Sequence, residues 1–257
     1  MRGLIQAKVV SQERIGRDIF KLTIDAGHID AIPGQFINLF MDDQAHILPR
    51  PISVCDITDE GIVLVYRVAG IGTESFSRLS AGDEINALGP LGNGFPIEDI
   101  SPNAHVLAVG GGIGIPPMLY LARQLKSLGI AVGAVLGYRD EAFLEAEFSA
   151  LDIDIYRSSD SGAVGIRGTV IDAMALNEKG CDMIFACGPL PMLKAIQSYA
   201  ADNAIRAYVS LEERMACGIG ACLGCVCKTV DIDEHSGVHN RRVCADGPVF
   251  DAREVSL

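Results

Sequence analysis

The chain has 257 residues, 49% of them hydrophobic and 21% charged, with a formal net charge of −12 and a sequence pI near 4.8. That length prior points to two domains rather than one, and the acidity leaves no basic stripe to follow a phosphate backbone, so nucleic acid is not an expected partner. The opening MRGLIQAKVVSQER lacks the apolar stretch of a secretory leader, and the uncharged run from 101 to 122 is interrupted by GGGIG and PP, so a cytoplasmic protein without a membrane span is expected.

From residue 4 to about 97 short runs of alternating apolar residues, FKLTIDA, GQFINLFM, GIVLVYRV and DEINALGP, are separated by Gly, Pro and Asp turns. This period of two predicts an antiparallel β barrel over residues 1–99. Within it RPIS, Arg50 to Ser53, is expected to end a strand with a cation that can pair with a diphosphate and a hydroxyl that can bond a flavin ring. YRVAGIGT, Tyr66 to Thr73, adds Arg67 and then a Gly-x-Gly-Thr turn whose N–H groups suit phosphate. Each motif alone is common in β proteins; together, ahead of an α/β half, they point to a flavin nucleotide.

Between 104 and 210 the rhythm changes to apolar strand followed by amphipathic helix: HVLAVG then PPMLYLARQLKSLG, AVGAVLGYR then FLEAEFSAL, CDMIFACG then PMLKAIQSYAADN. A parallel sheet flanked by helices is predicted over residues 100–210. VGGGIGIPPM lies at a strand-to-helix junction, with prolines for the first helical turn and glycines where backbone must approach a pyrophosphate, which makes Gly111, Gly112, Ile113 and Gly114 candidate nucleotide contacts. A tight turn without a ligand is the alternative. Asp160, after the third predicted strand, can accept from ribose hydroxyls and would repel a 2′-phosphate, so NAD is expected over NADP; Arg157 and Arg167 are the opposing features. CGPLPM follows the fourth predicted strand, at the sheet edge where ligands of open α/β sheets bind, so Cys187, Gly188 and Pro189 are expected at the nicotinamide.

Residues 211–257 are too few and too glycine-rich to hold a large apolar core, so something else should organise them. Five of the eight cysteines lie here. Cys217, Cys222 and Cys225 follow C-x4-C-x2-C and Cys244 supplies a distant fourth, the plant-type arrangement for a [2Fe-2S] cluster. A structural zinc site is the alternative, but only one C-x2-C knuckle is present. Cys227 shares a strand face with Cys225 and is read as a packed thiol, and His235 and His239 as solvated loop residues.

The order RPIS, YRVAGIGT, LGPLGNGFP, GGGIGIPP, CGPLPM, EERMACGIGAC, VCADGPVF spans nearly the whole chain. It resembles the electron-transfer subunit family of NAD-dependent (class 1B) dihydroorotate dehydrogenase, in the ferredoxin reductase superfamily. The resemblance implies an FAD-binding β barrel, an α/β nucleotide domain and a small C-terminal [2Fe-2S] domain. It further implies FAD contacts at Arg50, Pro51, Ile52, Ser53, Val65, Tyr66, Arg67, Gly72 and Thr73, and cluster ligation by Cys217, Cys222, Cys225 and Cys244. The implied partner is an FMN-containing catalytic subunit that oxidises dihydroorotate, two of each subunit forming a heterotetramer, with electrons leaving this chain as hydride to NAD+. The segment DIDEHSGVHNRR makes the hairpin between Cys225 and Cys244 longer than the family pattern suggests. Relatives in a neighbouring family, NADH-dependent ferredoxin:NADP oxidoreductases and sulfide dehydrogenases, are expected to carry aspartate at the first ligand, where this chain has Cys217.

Overall fold

A computed structural model describes residues 3–41, 47–98, 100–232 and 237–257. Six strands close an antiparallel barrel: β1 (Leu4–Gly16), β2 (Ile19–Asp25), β3 (Phe36–Phe40), β4 (Arg50–Thr58), β5 (Gly61–Arg67) and β6 (Glu84–Leu91), in the order β1-β2-β5-β4-β3-β6. The alternation predicted from sequence is clearest in β6, where Ile85 and Ala87 are buried and Glu84 and Asn86 exposed. In β5 both faces are covered. Ile62, Leu64 and Tyr66 enter the barrel core while Val63 and Val65 pack against the α/β half, which is why GIVLVYR reads as a continuous apolar run. RPIS opens β4 instead of ending a strand, because Leu39 to Phe36 on β3 pair with Arg50 to Ser53 and carry the ladder on from there. A one-and-a-half-turn helix, α1 (Ile71–Phe76), replaces the expected open Gly-x-Gly-Thr turn.

The second half runs β7 (His105–Gly111), α2 (Ile115–Ser127), β8 (Ala131–Tyr138), α3 (Glu145–Ser149), β9 (Asp154–Ser159), β10 (Ile166–Arg167), α4 (Val170–Met174), β11 (Met183–Cys187), α5 (Leu190–Asp202) and β12 (Arg206–Ser210). Pro116 and Pro117 occupy the first turn of α2, where a missing N–H costs no helical bond. Thr169 and Asp172 form a reciprocal capping box that starts α4: Asp172 Oδ2 accepts from the Thr169 N–H at 2.7 Å. The helix expected over 143–151 is confined to α3, with Leu144 in a left-handed conformation at its start.

The last segment adds β13 (Val226–Lys228), β14 (Asn240–Arg242) and β15 (Val249–Asp251). β13 and β14 form a separate hairpin, whereas β15 pairs antiparallel with β12 and completes a seven-stranded sheet, β10-β9-β8-β7-β11-β12-β15. Contrary to the expectation from composition, burial does help to organise this segment. Cys225, Val243, Cys244, Phe250 and Val255 share one apolar core with Val109, Ile184 and Ile196 of the α/β half. The segment is also tied to the barrel, where the Asn93 side chain donates to the carbonyls of Ala245 and Asp246. Among the described residues no helix is long and apolar enough to cross a membrane.

Candidate flavin, nucleotide and cluster sites

Pro51, Ile52 and Ser53 of β4 and Val65, Tyr66 and Arg67 of β5 line one cavity of about 440 Å³. Adjacent strands of the barrel bring the two motifs side by side, as the sequence pairing RPIS with YRVAGIGT suggested. The Tyr66 ring itself turns into the barrel, stacking on Phe20 and donating from its hydroxyl to Gln12 Oε1 at 3.0 Å, and burial pushes that hydroxyl's pKa well above the usual tyrosine range. Arg50, Gly72 and Thr73 lie beside the cavity, not on its wall. A Cβ on Gly72 would come within 2.5 Å of Arg50 Nε, so a side chain there would push this guanidinium aside. Thr73 Oγ1 accepts from the Ala69 N–H at 2.9 Å and closes its own turn.

The far wall of the cavity comes from Phe36 of β3 and from Ser210, Leu211, Glu212 and Met215, which follow the carboxyl end of β12. Sequence reading passed over these residues. The signal was the position of LEE immediately after an unassigned sheet strand. Burial raises the Glu212 carboxyl pKa, with the nearby Arg67 charge opposing the shift.

A second cavity, about 510 Å³, holds Gly111, Gly112, Asp160 and Pro189 together with Tyr138, Arg139, Ser158 and Met192. Arg67 lines both cavities, so the two spaces meet at its side chain. Ile113, expected at the nucleotide, lines the flavin cavity, because the short 3-10 turn Gly112–Gly114 points it toward β5. Gly114 packs against the carbonyl of Cys187. Cys187 is only 2% exposed and lines neither cavity; burial pushes its thiol pKa far up, and the Pro189 side of the loop faces the open space. Gly188 sits between them, close to Met192 and the Gly111 backbone. Ser158 Oγ is buried at the second cavity with no hydrogen-bond partner among the described residues, a polar atom that a nucleotide would answer. Of the two arginines that could have favoured a 2′-phosphate, Arg157 donates from Nε to Glu145 Oε2 at 2.7 Å and is engaged there.

The cysteine loop closes on itself through backbone donors. Cys222 N–H donates to Cys217 Sγ at 3.4 Å, Gly220 N–H to Cys244 Sγ at 3.2 Å, and Cys244 N–H to Cys225 Sγ at 3.4 Å. Burial would raise the Cys217 pKa, but the N–H groups of Ile219, Cys222 and Ala221 outweigh it and bring the thiol down to about 6. At Cys244 burial and the adjoining Cys225 thiol act the other way and hold it up. The side chains stand as two pairs, Cys217 with Cys222 and Cys225 with Cys244. Among the described residues no three ligating side chains gather about a single metal position. Two pairs of thiols, each able to hold one metal, suit a two-iron cluster better than a lone zinc. Arg242 braces the loop, donating to the Gly220 carbonyl at 3.3 Å and pairing with Asp246 at 2.8 Å. Cys227 is half-buried on β13, packed against the apolar core, its thiol pKa raised by burial; His239 is exposed, and His235 lies outside the described residues.

Comparison with known proteins gives the same reading. A barrel joined to a parallel sheet, with adjoining flavin and nucleotide cavities, defines a reductase of the ferredoxin reductase class. A structure described as an NADH-dependent reduced ferredoxin-NADP oxidoreductase is similar over 100% of this chain and 91% of its own, with a TM-score of 0.83 and 31% identity. A ferredoxin NADP+ reductase from Neisseria gonorrhoeae shares the fold at a TM-score of 0.68 and 17% identity, over 77% of this chain and 91% of its own. Residues 212–256 match the iron-sulfur cluster binding domain of dihydroorotate dehydrogenase B. The electron transfer subunits of dihydroorotate dehydrogenase B (NAD(+)) from Lysinibacillus sphaericus and Streptococcus pneumoniae are each 41% identical, and each alignment covers 97% of this chain and 97% of the relative. The chain belongs to this family of electron transfer subunits and is a component of an oxidoreductase.

Proposed function

We propose that this chain takes electrons from the FMN of a dihydroorotate-oxidising catalytic subunit and delivers them to NAD+, serving pyrimidine biosynthesis in the cytoplasm. Residues 1–99 would hold FAD at Arg50, Pro51, Ile52, Ser53, Val65, Tyr66, Arg67, Gly72 and Thr73. Residues 100–210 would hold NAD, and residues 211–257 a [2Fe-2S] cluster on Cys217, Cys222, Cys225 and Cys244. The observation that carries the reading is the chain of contacts between sites: Arg67 belongs to both cavities, and Met215, two residues before Cys217, lies on the flavin wall.

When bound, the flavin converts single electrons into the two-electron hydride chemistry of a nicotinamide. The protein's own task is positioning. Ile113 lines the flavin cavity and Arg67 both cavities, so these side chains stand where the two spaces meet. Backbone N–H groups favour the thiolate of Cys217, the form that ligates metal. No side chain of this chain is needed as a catalytic acid or base. The complex would contain two copies of each subunit, with the catalytic subunit seated over residues 218–224.

Co-expression with an FMN-containing dihydroorotate dehydrogenase subunit tests the reading. The purified complex should reduce NAD+ with dihydroorotate and elute at the mass of a heterotetramer. A complex that contains iron and FAD yet couples only to NADP+ and ferredoxin would place the chain with the ferredoxin:NADP oxidoreductases instead.

A further inference from the structure

Between the flavin cavity and the cysteine loop stands one buried polar side chain. Asn38 lies on β3 on the same strand face as Phe36, which lines the flavin cavity, and its register partner on β4 is Pro51, which lines it too. The neighbouring positions Ile37 and Leu39 point the other way, into the barrel core. Asn38 is 0% exposed. Its Nδ2 donates to the carbonyl of Cys217 at 3.5 Å, across 179 positions of sequence, while its Oδ1 has no hydrogen-bond partner among the described residues. A Cβ on Gly218 would collide with Nδ2, whereas Oδ1 stands farther off at 3.3 Å, so the amide presents its N–H₂ end to the loop. Gly218 adopts φ +71° there, which glycine alone takes without strain.

A leucine of similar volume would spare the cost of the unanswered Oδ1, but it would take this donor from the Cys217 carbonyl. The amide therefore points to a task at the loop. We propose that Asn38 is a positioning residue for the electron path, holding the first cysteine of the cluster loop against the flavin-side wall of the barrel and raising the cluster's reduction potential. The positive end of its dipole faces the loop, so an electron arriving on the cluster is stabilised by it. The amide neither gives nor takes an electron or a proton. The proposal rests on the cluster assignment above.

The test uses the co-expressed complex carrying Asn38→Leu and, separately, Asn38→Asp. Iron and FAD content, the electron paramagnetic resonance spectrum of the reduced cluster and its midpoint potential are measured. With Asn38→Leu the potential should fall by the equivalent of roughly a tenfold shift toward the oxidised form, about 59 mV for a one-electron couple. Asn38→Asp, which sets a carboxylate against the loop, should lower it further. Iron lost while FAD is retained also supports a role in holding the loop. Either variant with the wild-type potential and spectrum overturns the proposal, and so does joint loss of iron and FAD, which would mark a general folding defect. Absence of iron from the wild-type complex would instead refute the cluster assignment itself.

Discussion

The carboxylate of Asp56 on β4 lies 3.0 Å from the guanidinium of Arg123 on α2, and the carboxylate is 7% exposed where the arginine is nearly half so. This pair crosses the junction between the barrel and the α/β half, alongside a second ion pair from Lys21 to Glu147 at 2.8 Å. Both cavities are built from residues on the two sides of that junction. The pair therefore helps set the geometry on which hydride transfer depends.

Burial raises the Asp56 pKa above its usual 3.8 and the Arg123 charge only partly offsets this. A carboxyl whose folded pKa is raised loses stability as pH rises from the unfolded value through the folded one. Arg123→Ala should widen that window upward and cost roughly 1–3 kcal/mol at neutral pH, because a buried charge loses its partner. Thermal melts at pH 7.5 and pH 4 check this: the loss should be clearly smaller in acid, and an equal loss at both would assign the effect to packing.

Serine at Cys217, Cys222, Cys225 or Cys244 is expected to remove or badly destabilise the cluster, and serine at Cys227 to leave it in place. The first four form the two thiol pairs, while Cys227 belongs to neither and packs against the apolar core from β13. Iron content and the visible spectrum decide it; an equal loss in the Cys227 variant would redraw the ligand set.

Leu223 is 63% exposed and Ile219 59%, on the loop that carries three of the four cysteines. Leu223 also holds φ +57°, a left-handed conformation that costs a non-glycine residue about 1 kcal/mol. Such strain at an exposed apolar residue is consistent with a contact surface. Leu223→Glu should block dihydroorotate-dependent NAD+ reduction in the complex while NADH oxidation by an artificial dye continues. Full coupled activity with an intact cluster would move the docking surface elsewhere.

Asp160 stands on the nucleotide cavity while Arg157 is held by Glu145. NADH should outperform NADPH in dye reduction by roughly tenfold or more, the equivalent of about 1.4 kcal/mol of charge repulsion. Asp160→Ser should narrow that gap. Equal efficiency of the two nucleotides in the unmodified protein would contradict the assignment.

Local pattern determined a large part of this protein. The alternation in DEINALGP, the prolines of GGGIGIPP and the C-x4-C-x2-C spacing each act over a few residues, where backbone geometry and side-chain chemistry leave few alternatives. Contacts between distant segments decided the rest. The pairing of β15 with β12 brings the cysteine segment onto the edge of the α/β sheet, and neither strand carries a sign of the other in its sequence. Ile113 belongs to the flavin cavity and Cys187 to the core because of how the 3-10 turn and Gly114 pack against neighbouring strands. Glu212 and Asn38 read as ordinary polar residues until the fold sets one on the flavin wall and the other beneath Cys217. A residue's spacing to its near neighbours fixes its secondary structure and local ligands, but its burial and its partners across the fold follow only when the chain has closed on itself.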